Sequence, residues 1–225
     1  MRKQVSKMGK RIFLSSPHMS DEGYELTYIH DAFQKNWIAP LGENVNEFEK
    51  ETAAYVGCKD AAALVSGTSA IHLAIKLAGV KQGDIVFCSD LTFAATVNPV
   101  LYEGGIPVFI DSEPDTWNMS PEALRKAFEK YPDAKAVVCV YLYGTPAKID
   151  ELMAICEEHK VPFIEDAAES LGATYKGKQT GTFGKFGIYS FNGNKIITTS
   201  GGGMRISENE EAVAKARFLS TQARD

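Results

Sequence analysis

The sequence predicts an α/β fold in which helices cover both faces of a mainly parallel sheet. Short apolar segments typical of buried strands alternate with amphipathic segments of helical length along the first three quarters of the chain. The chain has 225 residues, of which 44% are hydrophobic, as expected for a globular protein with one sizeable domain. Because internal repeats and low-complexity tracts are absent from the sequence, a repeat architecture is disfavoured.

The predicted elements follow one another in a regular order. Two helices come first, at residues 21–35 and 46–56, and strands then alternate with helices. Beyond Asp166 several glycines interrupt the pattern, so short strands, antiparallel in places, are expected there before a helix-like run at residues 208–220. The predicted strands are residues 61–65, 85–88, 107–110, 136–140 and 161–164, and the helices between them are residues 69–78, 94–102, 121–130 and 149–159.

Lys195 gives the clearest indication of chemistry. It follows Ser190-Phe191-Asn192-Gly193-Asn194 and precedes an apolar stretch that ends in the glycines 201–203. Small and polar residues around a single cation favour a lysine that a flat ligand ring can approach closely. Such a lysine can act as a covalent amine.

Two further segments carry groups that complement this amine. Asp166 follows an apolar run and lies at the carboxyl end of a predicted strand, where open α/β sheets bind ligands. Ser66-Gly67-Thr68-Ser69 begins a predicted helix, whose free amides suit a phosphate. Together these parts form the minimal site for pyridoxal phosphate: the lysine forms a Schiff base, the aspartate keeps the pyridine nitrogen protonated, and the helix terminus holds the phosphate.

Each of these signals has a commoner structural explanation when taken alone. Most lysines between glycines lie in surface turns, and an aspartate or a Ser-Gly-Thr-Ser string before a helix is often an ordinary N-cap. Phe93, in Leu91-Thr92-Phe93, would usually be a core residue. The order of the four signals along one α/β chain favours the cofactor site.

The strings SGTSAIHLAI, FIEDAAESLGA and SFNGNKIITTSGGGM resemble the DegT/DnrJ/EryC1/StrS sugar aminotransferases, a family of fold-type I pyridoxal phosphate enzymes. The resemblance covers nearly the whole chain. It implies the three-layer α/β/α large domain of aspartate aminotransferase-like enzymes, with catalysis by Lys195 and Asp166. Within the family, Asn-Gly-Asn-Lys and Asp-Ala-Ala-Glu resemble the 4-aminotransferases that act on UDP-4-keto-6-deoxy-N-acetylglucosamine in bacillosamine synthesis, which serves polysaccharide biosynthesis and protein glycosylation.

The resemblance also assigns roles to matching residues. Lys195 is expected to hold the cofactor covalently and move protons, Asp166 to pair with the pyridine nitrogen, and Phe93 to stack on the ring. Glu169 is the third expected catalytic residue. The expected cofactor-binding residues are Gly67, Thr68, Ser69, Phe93, Asp166, Glu169, Ser190, Asn192 and Lys195, with Gly67, Thr68 and Ser190 at the phosphate.

Glu169 departs from the Gln or His that family members often carry at the ring's phenolic oxygen. Two anions in one apolar site repel each other. We therefore expect Glu169 either to hold a proton or to turn toward the substrate's amine.

The resemblance implies a domain organisation as well. Residues 1–225 would form the large, cofactor-binding domain, with a helical segment at about residues 1–58. Family chains continue into a smaller C-terminal domain, which is expected to be absent here, so the chain alone is expected to be weakened or inactive. Family members place shared active sites at a homodimer interface.

The predicted reaction is transamination in two half-reactions, from an amino acid, L-glutamate by resemblance, to a nucleotide-linked keto sugar. Lys195 argues against the dehydratase branch of the family, in which a histidine replaces the lysine. Open alternatives are a dTDP-linked sugar, a 3-keto position, or a non-catalytic cofactor-binding or regulatory fragment. The segments 36–42 and 141–144 are candidate sugar-side walls, although their aromatic residues favour a core role.

Composition excludes several other function classes. The formal net charge is −5 with no basic stripe, so neither nucleic acid nor a membrane surface is an expected partner. The basic start lacks the apolar core of a signal peptide or anchor, which favours a cytoplasmic location. The four cysteines and four histidines are unclustered, so no metal site is expected, and a dinucleotide-binding glycine motif does not follow the first strand.

Overall fold

The computed structural model describes residues 18–223 and confirms an α/β fold. Within these residues the helices are α1 Tyr24–Gln34, α2 Glu43–Val56, α3 Gly67–Leu77, α4 Asn98–Tyr102, α5 Pro121–Lys130, α6 Ile149–Glu158 and α7 Glu210–Ser220. The strands are β1 Asp60–Leu64, β2 Ile85–Ser89, β3 Ile106–Ile110, β4 Ala136–Val140, β5 Phe163–Asp166, β6 Thr174–Tyr175, β7 Lys178–Gln179, β8 Phe186–Ser190 and β9 Gly203–Ser207.

Seven of the described strands form one mixed sheet in the order β1-β9-β8-β5-β4-β2-β3. The run from β8 to β3 is parallel, and β9 is antiparallel to both of its neighbours. The prediction of a parallel sheet with antiparallel pairing late in the chain is therefore confirmed. β6 and β7 form a separate small hairpin.

Helices pack on both faces of the sheet, which gives the predicted three layers. On one face Leu124 of α5 and Leu152 of α6 join the core around Phe87. On the other face Ile71 and Ile75 of α3 pack against a second cluster of buried residues. Burial of apolar surface on both faces stabilises the parallel strands, whose sequences are accordingly mainly apolar.

The start of α3 differs by two residues from the prediction. The helix begins at Gly67 because the Ser66 hydroxyl accepts the N–H of Ser69 at 3.1 Å and caps it. Gly67 and Thr68 therefore lie in the first turn rather than before the helix.

The prediction of a single helix at residues 94–102 is wrong. A 3₁₀ turn at Ala94–Thr96 is followed by α4, and Val97 separates them with φ −105°. Pro99 lies at the start of α4, where the missing N–H of proline is tolerated, whereas it would break the interior of a longer helix. The separate turn matters because it carries Phe93 and Thr96 to the sheet edge.

Helix α1 lies on the outside of the fold. α1 has no buried residue, and Leu26, Ile29 and Phe33 on it are exposed. Both α1 and α2 fall within the predicted helical segment at residues 1–58, of which residues 1–17 lie outside the described part. The assignment of this segment and of the whole chain to one large domain stays a prediction.

Candidate functional site

The carboxyl ends of β4, β5 and β8 meet the start of α3 around a cavity of about 280 Å³, which we call the inner cavity. Parallel strands end at the same edge of a sheet, so this is the edge where open α/β folds bind ligands. Among the predicted site residues, the inner cavity is lined by Gly67, Thr68, Phe93, Asp166, Glu169, Ser190, Asn192 and Lys195. Ser69 does not line it: its N–H and hydroxyl contact Ser66 instead.

Asp166, the last residue of β5, is buried at the base of the inner cavity. Its Oδ2 accepts the hydroxyl of Thr96 at 2.6 Å, and its Oδ1 accepts the N–H of Ala168 at 3.2 Å. Burial raises the pKa of this carboxyl, and the two hydrogen bonds and Lys195 act against that rise. A carboxylate held in this way suits a cationic ring nitrogen.

Lys195 reaches the same cavity from the loop between β8 and β9. Its side chain is 13% exposed, and Nζ lies 3.2 Å from Oε1 of Glu169. The short strands expected around the lysine are β8 and β9, which flank it, and the apolar residues directly after Lys195 do not form a strand. The loop leaves the amine at the mouth of the cavity rather than in the sheet.

Glu169 is held on both carboxylate oxygens. Oε1 faces Lys195, and Oε2 accepts the N–H of Tyr143 at 2.9 Å. Tyr143 has a φ of +50°, a conformation that non-glycine residues seldom adopt and that often marks a functional site. Glu169 thus contacts the amine of Lys195. Its contact with the cofactor ring or with the substrate's amine stays a prediction.

The start of α3 supplies donors for an anion. The first amides of a helix have no intrahelical partner, and the positive end of the helix dipole favours negative charge there. A Cβ atom added at Gly67 would lie 3.1 Å from the Cβ of Ser190, so the absence of a side chain leaves room beside the serine hydroxyl. Gly67, Thr68 and Ser190 thus lie beside one another at the inner cavity, and their binding of a phosphate stays a prediction.

The remaining predicted residues border this arrangement. Phe93 is 74% exposed and lines the inner cavity, which is the expected position for an aromatic ring that stacks on a flat ligand. The Asn192 side chain donates to Oδ1 of Asn194 at 2.8 Å. This bond steadies the loop in front of Lys195.

Two buried residues that hydrogen-bond to segments bordering the site were not predicted. Thr96 is fully buried and bonds to Asp166, and its hydroxyl also lies 2.6 Å from that of Thr92. Asn118, also fully buried, accepts the N–H of Leu142 and donates to the carbonyl of Thr145, both at 2.8 Å. Thr92 and Thr96, two hydroxyl residues four positions apart beside Phe93, are a sequence pattern from which the role of Thr96 could have been predicted. The sequence around Asn118 contains no such pattern.

A wider, open cleft of about 890 Å³, the outer cleft, adjoins the inner cavity. The two share Glu169, Asn194 and Lys195, so a molecule in the outer cleft would contact the lysine. Tyr143 lines the outer cleft and is 70% exposed, and Trp37 is 55% exposed, so the core role favoured for them is wrong. Tyr141 is fully buried, as a core residue should be.

The described residues contain no group of three or more His, Cys, Asp or Glu side chains that could hold a metal ion. The cysteines 58, 88, 139 and 156 are free thiols. Across residues 18–223, none of the helices combines the length and apolar character needed to cross a membrane.

The donor set of the inner cavity fits pyridoxal phosphate. An amine can bond to the aldehyde, a buried carboxylate can pair with the pyridine nitrogen, and helix amides with a serine hydroxyl can hold the phosphate. Lys195, Asp166 and the Gly67–Ser190 contact supply these groups around one space.

Comparison with known proteins supports the same assignment. EpsN of Bacillus subtilis strain 168, whose assignment as a pyridoxal phosphate-dependent aminotransferase is provisional, is 62% identical over 97% of this chain and 57% of its own length. GDP-perosamine synthase of Caulobacter vibrioides is 39% identical over 96% of this chain and 57% of its own. UDP-4-amino-4,6-dideoxy-N-acetyl-beta-L-altrosamine transaminase of Campylobacter jejuni is 38% identical over 82% of this chain and 49% of its own length.

Solved structures share the fold. The crystal structure of DesI in the presence of its TDP-sugar product matches with a TM-score of 0.86 and 29% identity, over 94% of this chain and 53% of that one. The chain thus spans about half the length of these relatives. The DegT/DnrJ/EryC1/StrS aminotransferase family model matches residues 20–225, and the chain belongs to this family.

Proposed function

We propose that the protein is a pyridoxal phosphate-dependent sugar aminotransferase that moves an amino group from an amino acid to a nucleotide-linked keto sugar. The observation that carries this proposal is the convergence of Lys195, Asp166 and the start of α3 on one cavity, with a wider cleft on the lysine side.

The cofactor is pyridoxal phosphate, which supplies a ring that accepts the electron pair released when a proton leaves the carbon beside the amine. Asp166 pairs with the ring nitrogen and keeps it protonated. Gly67, Thr68 and Ser190 hold the phosphate, and Phe93 covers one face of the ring. These residues would hold the cofactor in one position throughout the reaction.

Lys195 performs two tasks in this scheme. Its Nζ atom would hold the cofactor through a covalent bond, and the free amine of the same lysine would serve as the base that takes up and returns a proton. Glu169, 3.2 Å away, would orient this amine through the ion pair that the two side chains form. Because the donor leaves as a keto acid before the sugar binds, ping-pong kinetics are expected.

The proposed substrates are L-glutamate and UDP-4-keto-6-deoxy-N-acetylglucosamine, which would give the UDP-4-amino sugar of bacillosamine synthesis. The Campylobacter jejuni relative is named for a UDP-linked 4-amino sugar, which supports the sugar class. GDP-perosamine synthase and DesI are named with GDP-linked and TDP-linked sugars, so a dTDP-linked or 3-keto sugar is the alternative. A homodimer with shared active sites and a cytoplasmic location complete the proposal.

The test is the visible absorbance of the purified chain after addition of pyridoxal phosphate, then of L-glutamate. We expect a yellow band that Lys195→Ala lacks and that glutamate bleaches, while Lys50→Ala, a surface lysine 76% exposed, behaves as the unaltered chain. A band equally strong in Lys195→Ala would contradict the proposed covalent role.

The same preparation distinguishes the substrates. Mass spectrometry after incubation with glutamate and UDP-, dTDP- or GDP-linked keto sugars identifies which sugar gains the amine. A band that forms but does not respond to any amino donor would instead favour a cofactor-binding or regulatory fragment.

A further inference from the structure

We propose that Thr92 and Thr96 form a two-hydroxyl relay that holds Asp166 as a carboxylate and aims its remaining lone pairs into the inner cavity. This inference rests on the proposed pairing of Asp166 with the cofactor ring. Thr96 is then a positioning residue, which acts on the cofactor through Asp166, and Thr92 orients Thr96.

The geometry fixes the direction of the hydrogen bonds. Thr96 Oγ1 lies 2.6 Å from Asp166 Oδ2, and Thr92 Oγ1 lies 2.6 Å from Thr96 Oγ1. A carboxylate oxygen accepts only, so the single hydroxyl proton of Thr96 is donated to Asp166. Thr92 must therefore donate to Thr96, which leaves both hydroxyls oriented toward the carboxylate.

The relay is built into the turn that presents the stacking ring. The N–H of Thr96 donates to the carbonyl of Phe93 at 3.0 Å, so Thr96 ends the 3₁₀ turn that Phe93 caps, and Thr92 directly precedes Phe93. Thr96 has no exposed surface, and water therefore cannot replace its hydroxyl. A shift of this turn would move the ring contact and the carboxylate contact together.

The electrostatic surroundings show why Asp166 needs donors. Burial is the largest influence and raises the pKa of Asp166; the Thr96 hydroxyl is the first of the groups that lower it, followed by the N–H of Ala168. The charged groups that act on this carboxyl are Lys195, which favours its ionised form, and Glu169, which opposes it. Loss of the Thr96 hydroxyl would leave a buried carboxylate with one donor fewer, so the proton would bind more readily.

The test compares Thr96→Val, which keeps the shape and removes the hydroxyl, with Thr96→Ser, which keeps the hydroxyl. We expect Thr96→Val to weaken pyridoxal phosphate binding by roughly 10-fold, the loss of one charge-assisted buried hydrogen bond. Its visible band should also titrate at a different pH. The affinity of Thr96→Ser for pyridoxal phosphate should stay within about threefold of that of the unaltered chain. The affinity of Thr92→Val should lie between those of Thr96→Val and Thr96→Ser.

A second readout needs no cofactor. The pKa of Asp166 is raised in the folded chain, so its ionisation lowers stability as the pH rises from its unfolded value near 4. In Thr96→Val this loss of stability should be larger. The difference in unfolding midpoint between Thr96→Val and the unaltered chain should therefore grow as the pH rises above about 4. In an Asp166→Asn background the growth with pH should vanish.

The outcomes separate the two proposals. If the unaltered chain binds no pyridoxal phosphate, the proposed function fails, while the cofactor-free pH comparison still decides the relay. A pH-independent loss of stability in Thr96→Val would show a packing role only and overturn the relay. Unchanged cofactor affinity and band titration in Thr96→Val would also overturn it.

Discussion

Lys195 and Glu169 are 26 residues apart in sequence, yet their side chains form an ion pair of 3.2 Å at the boundary between the inner cavity and the outer cleft. The pair joins the loop after β8 to the segment after β5. Because the second oxygen of Glu169 is bound by the N–H of Tyr143, the carboxylate holds the lysine from a fixed position. The amine is thereby oriented before any ligand enters.

Glu169→Gln tests this orientation. The amide oxygen can still accept from Tyr143, but the NH₂ group then faces the Lys195 amine and cannot accept from it. We expect turnover to fall by roughly 10-fold, within the range for loss of a group that assists proton transfer, with a shifted pH dependence of the visible band. The exposed Glu51→Gln is the control. An unchanged spectrum together with unchanged turnover would show that Glu169 does not orient the Lys195 amine.

Asp166→Asn should separate stability from function. The folded-state pKa of Asp166 is raised by burial, so the unaltered chain loses stability as pH rises above about 4, the unfolded value. The neutral amide avoids this loss, and we expect the cofactor-free variant to gain about 0.5–2 kcal/mol near neutral pH, as single stabilising changes often do. Below pH 4 the gain should disappear.

Cofactor binding should change in the opposite direction. An amide cannot balance a pyridinium charge, so Asp166→Asn should bind pyridoxal phosphate more weakly and bleach slowly with glutamate. Thermal unfolding at several pH values and spectral titration measure the two effects. A variant less stable than the unaltered chain at pH 7 would refute the stability argument.

The candidate residues that belong to a recognisable local pattern could be identified from the sequence. Lys195 and Asp166 could be found because a lysine among glycines and an acid at a strand end are visible within ten residues. The start of α3 could be found because Ser66 is a recognisable helix cap. The register of the parallel strands then brings these distant segments to one edge, as the α/β class requires.

Other contacts depend on tertiary packing and leave no local pattern. Asn118 and Thr145, which share a hydrogen bond, are 27 residues apart in sequence, so their contact can be recognised only in the folded chain. Likewise, the break between the 3₁₀ turn and α4 was hidden because Pro99 is compatible with a helix start as well as with a break. The exposure of Tyr143 and Trp37 contradicts composition-based expectations for aromatic residues.

Asn118→Ala should disturb the site from a distance. The change removes both hydrogen bonds that fix the turn at residues 142–145, and with it the position of the Tyr143 N–H that binds Glu169. We expect a loss of about 2 kcal/mol in the free energy of unfolding, for two buried hydrogen bonds, and a faster exchange of the Tyr143 amide with solvent.

A suitable control is Asn46→Ala, an exposed asparagine on α2. Asn118→Asp keeps the acceptor for Leu142 but sets a carboxylate oxygen against the carbonyl of Thr145, so it should be no better than alanine. Denaturant unfolding and amide exchange are the measurements. Unchanged exchange at Tyr143 in Asn118→Ala would show that the turn is held without the asparagine.

Gly203→Ala should displace the helix start that is proposed to bind phosphate. Gly203 pairs with Leu64 of β1 and with Ser190 of β8, so it lies between the strand ends on either side of the site. An added Cβ would lie 2.3 Å from the backbone carbon and oxygen of Ser66 and 2.5 Å from the N atom of Gly67. Backbone atoms cannot rotate away as a flexible side chain can, so the chain must shift.

The expected result is a destabilisation of about 1–3 kcal/mol, typical of overpacking, and weaker binding of pyridoxal phosphate because the amides of α3 no longer face the Ser190 hydroxyl. Gly201→Ala is the matched control, since the nearest atom to its added Cβ is 3.9 Å away. Inorganic phosphate should compete with the cofactor in the control and compete less well in Gly203→Ala. Equal phosphate competition in the two variants would place the anion site elsewhere than at the start of α3.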